Sequence, residues 1–267
     1  MNSAQINGIS IAYRDAGSGT PVLFIHGHPF NQSMWDPQVA ALTWKYRVIT
    51  FDLRGYGASE VPTVEATTLE TMAADINALL DHLNIPRAII VGLSMGGQIA
   101  MAFAEQYPHR LSGLILAATF SRADTPEGAN ARRAMADRFI NEGSALPGGE
   151  MLPKLLAHAS IKKNPDIALS VYKMIAHTPP AGAAAALRGR AQRKDYTESL
   201  HHIAVPALIF VGTEDTYTPV ENAELLHQSI PNSRLEIFEG IGHMPNLEAP
   251  DRFNAILHEY LATIPSQ

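Results

Sequence analysis

A serine set between two glycines is the clearest sign of chemistry in this chain. Gly92, Ser94 and Gly96 form the pattern Gly-x-Ser-x-Gly, which follows the apolar run 88–91 and precedes a helical pattern. A strand, a sharp turn and a helix are the context in which this pattern exposes a nucleophilic serine. Glycines relieve the crowding that such a turn creates, because they lack a Cβ atom. The pattern therefore predicts Ser94 as a nucleophile.

A serine hydroxyl reacts poorly unless a base removes its proton and an acid orients that base. His243 lies on a glycine-rich segment between the predicted strand 234–238 and the last predicted helix. Asp215 follows the predicted strand 207–211, where side chains reach the carboxyl edge of a parallel sheet. We therefore predict His243 as the general base and Asp215 as the orienting acid.

Two other acidic residues are alternatives to Asp215. Glu214 directly precedes it in the chain. Asp124 follows the predicted strand 111–116, so its carboxylate could reach His243 from a neighbouring position on the sheet edge. The sequence favours Asp215 and leaves both alternatives open.

The segment His26-Gly-His-Pro29 follows the apolar run 22–25. In a fold with this nucleophile turn, that position offers a backbone N–H to the oxyanion that forms during acyl transfer. The predicted donors are the backbone amides of His28 and Met95. We predict no metal at His26 and His28, since zinc-dependent lactonases carry an Asp-His pair two residues further on, where this chain has Phe30-Asn31.

The composition limits the other possibilities. The 267 residues are 46% hydrophobic, carry a formal net charge of −6 and include no cysteine. No basic cluster, phosphate-binding glycine loop or apolar run of about 18 residues occurs. We therefore predict a cytoplasmic protein that acts on a small molecule, with no cofactor and no nucleic-acid or membrane partner. The oligomeric state is not predicted.

Short apolar runs alternate with helical patterns, which indicates parallel strands joined by helices. The predicted strands are 9–14, 22–25, 47–51, 87–91, 111–116, 207–211 and 234–238. Between 121 and 200 no strong strand is predicted, and prolines and glycines interrupt short helical patterns. We therefore predict an α/β core formed by 1–120 and 201–267, with 121–200 as an inserted helical cap.

The chain resembles the α/β-hydrolase superfamily through five motifs spread over nearly its whole length. They are His26-Gly-His-Pro29, Asp52-Leu-Arg-Gly-Tyr-Gly-Ala-Ser59, Gly92-Leu-Ser-Met-Gly-Gly97, Gly212-x-x-Asp215 and Gly242-His243. The resemblance implies a mostly parallel sheet flanked by helices with a helical cap, and a loop-stabilising role for Asp52 and Arg54. Haloalkane dehalogenases and epoxide hydrolases need an Asp where this chain has Ser94, so both activities are excluded.

Within the superfamily, the chain is similar to 3-oxoadipate enol-lactonases, bacterial arylesterases and cofactor-free perhydrolases. Together with the residues above, this predicts hydrolysis of a carboxylic ester or lactone through an acyl-enzyme. Alternatives are a perhydrolase or haloperoxidase type of activity, and a ligand-sensing protein with slow residual hydrolysis. Possible substrate-lining residues are Phe30, Met151, Met174 and Met244, whose apolar side chains favour uncharged or mildly polar substrates.

Overall fold

A computed structural model describes residues 1–265 of the protein. Eight strands form one sheet in the order β1-β2-β4-β3-β5-β6-β7-β8. The strands are β1 (Asn2–Ile6), β2 (Ile9–Ala16), β3 (Pro21–Ile25), β4 (Arg47–Phe51), β5 (Ala88–Leu93), β6 (Leu111–Ala117), β7 (Ala207–Gly212) and β8 (Ser233–Phe238). The pairs from β4 through β8 are parallel, while β1 and β2 are antiparallel to their neighbours. The predicted fold class is therefore confirmed.

Eleven α-helices lie within the described residues. They are α1 (Asp36–Leu42), α2 (Leu69–His82), α3 (Met95–Gln106), α4 (Pro126–Glu142), α5 (Ala145–Leu155), α6 (His158–Lys163), α7 (Pro165–Ala176), α8 (Pro180–Arg190), α9 (Val220–Ser229), α10 (Pro245–Glu248) and α11 (Pro250–Leu261). The predicted bounds of the strands β2 to β8 agree with the observed ones to within two residues. Strand β1 and helix α1 were not predicted.

Two apolar clusters cover the two faces of the sheet. The first contains buried residues of α2, α3 and α9, such as Leu79, Ile99 and Leu226. The second contains Trp35 together with Phe253 of α11. Because both faces are covered, the central strands are apolar along their whole length, as is typical of parallel sheets.

Helices α4 to α8 lie between β6 and β7 in the chain. Val171 and Ile175 of α7 belong to the same apolar cluster as Phe30 and Met244, which lie outside the five helices. The helical segment therefore packs directly on the sheet domain. Its treatment as a separate cap with limits at 121 and 200 stays a prediction.

Candidate active site

Ser94 lies at the turn between β5 and α3 with a positive φ of 56° and a ψ of −115°. Non-glycine residues rarely adopt this region, so the turn holds the serine backbone in a strained conformation. A Cβ atom on Gly92 would lie 2.2 Å from the carbonyl oxygen of Gly96, and one on Gly96 would lie 2.3 Å from that of Ile25. Both positions therefore need glycine for the turn to close.

His243 and Asp215 form a buried pair. The Nδ1 atom of His243 lies 2.7 Å from Oδ2 of Asp215. Oδ1 of Asp215 accepts hydrogen bonds from the backbone N–H groups of Tyr217 (2.8 Å) and Thr218 (2.9 Å), and the Thr218 hydroxyl donates to Oδ2. Burial alone would raise the pKa of Asp215, but attraction to His243 and these hydrogen bonds outweigh it, so the pKa lies below its ordinary value.

The loop that carries His243 is held by Glu248. Its carboxylate accepts hydrogen bonds from the backbone N–H groups of Gly242 and Met244, both at 3.2 Å, and from that of Ala157 at 2.9 Å. The backbone N–H of His243 also donates to the Leu155 carbonyl oxygen at 3.0 Å. The histidine backbone is therefore fixed to its own loop and to the helical segment.

The two alternative acids are placed differently from Asp215. The side chain of Asp124 forms salt bridges with Arg132 and Arg193, both at 2.6 Å. Glu214 is exposed to solvent. Within residues 1–265, neither carboxylate forms a hydrogen bond with His243. The geometry therefore favours Asp215 over both of them.

The predicted oxyanion donors flank the serine. Met95 is the first residue of α3, and a Cβ atom on Gly27 would lie only 3.3 Å from the Ser94 Cβ, which places the His28 loop against the nucleophile. No acceptor for the backbone N–H of His28 or Met95 occurs in the described part of the chain. Both amides are therefore available to a ligand, and the positive end of the α3 dipole favours an anion there.

A cavity of about 350 Å³ opens at the serine, which is a suitable size for a small molecule. Ser94, His243 and Met151 all line it. The remaining wall residues are His28, Phe120, Asp124, Gly128, Ala131, Arg132, Met135, Leu155, Leu187, Arg190, Tyr217 and Thr218. No hydrogen bond joins the Ser94 hydroxyl to His243 among the described residues, and such bonds are often long until substrate is bound.

Three of the predicted substrate-lining residues are not among those that line this cavity. Phe30 and Met244 are fully buried in the second apolar cluster, and Met174 packs against the same cluster. Phe30 and Met244 of the sheet domain and Met174 of α7 belong to the apolar packing between the inserted helices and the sheet domain. The wall also contains Arg132 and Arg190, two charged residues that the predicted apolar lining did not include.

His26 uses both ring nitrogens within the protein. Its Nδ1 atom lies 2.9 Å from the Gly27 carbonyl oxygen, and its Nε2 atom accepts from the Leu53 backbone N–H at 3.0 Å. Nδ1 of His28 contacts the Tyr56 hydroxyl at 2.7 Å. Burial and the nearby Arg190 and Arg132 charges lower the pKa of His28 well below its ordinary value. These contacts support structural roles for both imidazoles.

The described residues contain no group of three or more His, Cys, Asp or Glu side chains arranged to hold a metal ion. None of the helices they form combines the length and apolarity needed to cross a membrane.

Both the sequence and the fold are similar to those of known proteins. The family described as alpha/beta hydrolase fold matches residues 20–250. A 3-oxoadipate enol-lactonase of Acinetobacter baylyi is 32% identical, with 98% of this chain and 93% of the relative covered. A thermophilic esterase from Thermogutta terrifontis, solved with malate bound, is 37% identical with a TM-score of 0.96 and 99% of each chain covered. A bromoperoxidase structure from Bacillus anthracis is 29% identical with a TM-score of 0.87, covering 98% of this chain and 99% of that one. The chain therefore belongs to the α/β-hydrolase family.

Proposed function

We propose that this protein hydrolyses carboxylic esters or lactones through an acyl-enzyme formed on Ser94. The observation that carries the proposal is the contact of 2.7 Å between His243 and Asp215, in the same site as a serine held at a strained turn. The esterase and enol-lactonase relatives support this class of substrate. Ser94 is the nucleophile, His243 the general base and Asp215 the orienting acid.

In the first half of the reaction, Asp215 accepts a hydrogen bond from the Nδ1–H of His243, which leaves Nε2 unprotonated and able to take the proton of Ser94. The serine oxygen then attacks the carbonyl carbon. The carbonyl oxygen becomes negatively charged and receives hydrogen bonds from the amides of His28 and Met95. These donors stabilise the transition state because the fold holds them in place before the charge develops, so no reorganisation is needed at that moment.

The tetrahedral intermediate then collapses. His243 gives its proton to the departing alcohol oxygen, and the acyl group stays on Ser94. With a lactone, that alcohol stays joined to the acyl group. Water, deprotonated by His243, then attacks the acyl-enzyme and releases the acid. A bromoperoxidase among the relatives favours a second candidate, in which hydrogen peroxide replaces water at this step and a peracid is released.

The test is steady-state hydrolysis of p-nitrophenyl butyrate, a neutral ester. Ser94→Ala should abolish turnover without unfolding the chain, while Ser170→Ala, at an exposed serine of α7, should retain it. Asp215→Asn should lower kcat by about 10⁴-fold, far more than Asp124→Asn, because only Asp215 holds the imidazole tautomer. Turnover that stops after one equivalent would favour the ligand-sensing alternative, and an unimpaired Ser94→Ala would contradict the proposal.

A further inference from the structure

The cavity wall beside Ser94 carries an excess of positive charge. Arg132 and Arg190 both line the cavity, and Arg193 lies directly behind the wall on Asp124. The lining contains one carboxylate, that of Asp124. Three guanidinium groups thus share a single negative charge, and the local positive charge exceeds the negative charge by two.

Asp124 is fully occupied by two of the arginines. Its Oδ2 atom accepts from Nε of Arg132 and Nη1 of Arg193, both at 2.6 Å. Its Oδ1 atom accepts from Nη2 of Arg132 at 3.1 Å and from Nη2 of Arg193 at 2.9 Å. With both oxygens engaged twice, this carboxylate has no acceptor site left for a direct ion pair with Arg190.

Arg190 is therefore a buried cation without a counter-ion. Its residue is 6% exposed, and its Nε donates to Oε1 of Gln98 at 3.0 Å. Within residues 1–265, no carboxylate forms a salt bridge with it and its Nη atoms have no hydrogen-bond acceptor. Burial, followed by repulsion from Arg132 and Arg193, lowers the pKa of Arg190. A buried, unpaired charge is costly, and an arginine stays protonated rather than losing it.

Arg190 contacts the helix that begins directly after Ser94. Its partner Gln98 lies on α3, where its backbone N–H donates to the Ser94 carbonyl oxygen at 3.1 Å. Gln98 therefore follows Ser94 by one helical turn, a rise of about 5 Å along the α3 axis. An anion bound to Arg190 would lie in the same cavity as the carbonyl under attack, so both groups can belong to one substrate.

We propose that Arg190, assisted by Arg132, binds a carboxylate of the substrate, so that the preferred substrates are esters or lactones with a free carboxylate a few bonds from the reacting carbonyl. The inference rests on the proposed hydrolase function. A guanidinium group suits a carboxylate because its parallel N–H groups match the two oxygens. Met135, Met151 and Leu187 supply the apolar wall for the intervening carbon chain.

Paired esters of equal length test this substrate class. Monomethyl glutarate and methyl pentanoate differ in a terminal carboxylate in place of a methyl group, and acid release is followed in a pH-stat. We expect kcat/KM to be at least about 10-fold higher for monomethyl glutarate. Arg190→Gln should lower that ratio by roughly 10- to 100-fold, the effect of losing hydrogen bonds to a charged group. Arg188→Gln removes a half-buried arginine of α8 that pairs with Asp137 and does not line the cavity, and it should leave the ratio unchanged.

Binding provides a second readout that needs no turnover. Calorimetric titration of glutarate into the Ser94→Ala chain should show binding, and adding Arg190→Gln should weaken it at least about 10-fold. If Arg190→Gln does not fold by circular dichroism, Arg132→Gln should weaken binding in the same direction, since the Arg132 side chain is 21% exposed and tolerates the change. Equal kcat/KM for the two esters, with no glutarate binding, would overturn this inference while leaving the hydrolase intact. Glutarate binding without turnover of either ester would instead overturn the proposed function alone.

Discussion

At the scale of single residues, the site depends on how firmly Asp215 is held. The carboxylate accepts two backbone N–H groups in addition to the Thr218 hydroxyl and His243. These donors keep the carboxylate ionised, so it can accept a hydrogen bond from the imidazole N–H of His243. A spacing signal for this arrangement exists in the sequence, because an Asp often accepts from the backbone two and three residues onward. Thr218 could have been identified on that basis.

Thr218→Val tests this positioning role. The substitution removes the hydroxyl that donates to Oδ2 of Asp215 and keeps the side-chain shape. We expect kcat to fall about 10-fold with little change in KM, because the lost hydrogen bond to a charged group is worth about 1.5 kcal/mol. Thr218→Ser restores the hydroxyl and should recover most of kcat. Equal kcat for the valine and serine variants would show that the hydroxyl has no part in positioning Asp215.

At the scale of elements, Glu248 of α10 joins the His243 loop to the start of α6. Glu248→Ala would leave three backbone N–H groups without their acceptor, at a cost of about 2 kcal/mol or more. We expect a melting temperature lower by about 4 to 8 °C and a reduced kcat, measured by circular dichroism and ester hydrolysis. Glu239→Ala, at an exposed carboxylate outside this network, is the matched control and should change neither. If Glu248→Ala kept the kcat of the parent chain, the anchoring of the His243 loop by Glu248 would have no part in catalysis.

Asp124 connects the start of the helical segment to its end, since Arg132 lies on α4 and Arg193 follows α8. Burial opposes ionisation of this carboxyl, but hydrogen bonds from Arg132 and Arg193 lower its pKa from 3.8 to about 2. A carboxyl with a depressed folded-state pKa stabilises the fold above its unfolded value, and this contribution is lost as pH falls through the folded value.

Asp124→Asn should therefore lower the free energy of unfolding by about 1 to 2 kcal/mol at pH 7. The difference between the parent chain and the variant should stay constant down to about pH 5 and shrink as the pH approaches about 2. Urea unfolding at a series of pH values measures it. A difference that grows with acidity would mean that Asp124 does not act through its charge.

Most of the strands, but not all of the site contacts, could be predicted from the sequence. The central strands were found because each is a continuous apolar run covered on both faces. Strand β1 was missed because Asn2–Ile6 is mostly polar and is defined by its pairing across the Asn7-Gly8 turn. Ser94 was predicted from its motif, and Asp215 and His243 from their places after predicted strands, whereas Arg190 and Glu248 were not predicted. Their partners, Gln98 and Ala157, are remote in the chain, and only the folded contacts bring each pair together.

At the scale of the whole molecule, the helical segment shares its apolar packing with the sheet domain. Trp35 is fully buried in the cluster that also contains Leu155, Val171 and Ile175 of the inserted helices. We therefore expect one cooperative unfolding transition. In Trp44→Phe, which removes the 70% exposed tryptophan, Trp35 is the only fluorophore of its type. Its fluorescence transition should coincide with that of helix circular dichroism, and an earlier loss of helix would contradict shared packing.

The central claim, that Ser94 is a nucleophile activated by His243, is tested most directly by its covalent labelling. Diisopropyl fluorophosphate reacts with an activated serine oxygen, which displaces fluoride and keeps the phosphoryl group. Intact and peptide mass spectrometry should show one adduct per chain on the peptide that contains Ser94, together with full loss of esterase activity. Ser94→Ala should remain unlabelled, and His243→Ala should label far more slowly. An adduct on another residue, or full activity in a completely labelled protein, would contradict the account.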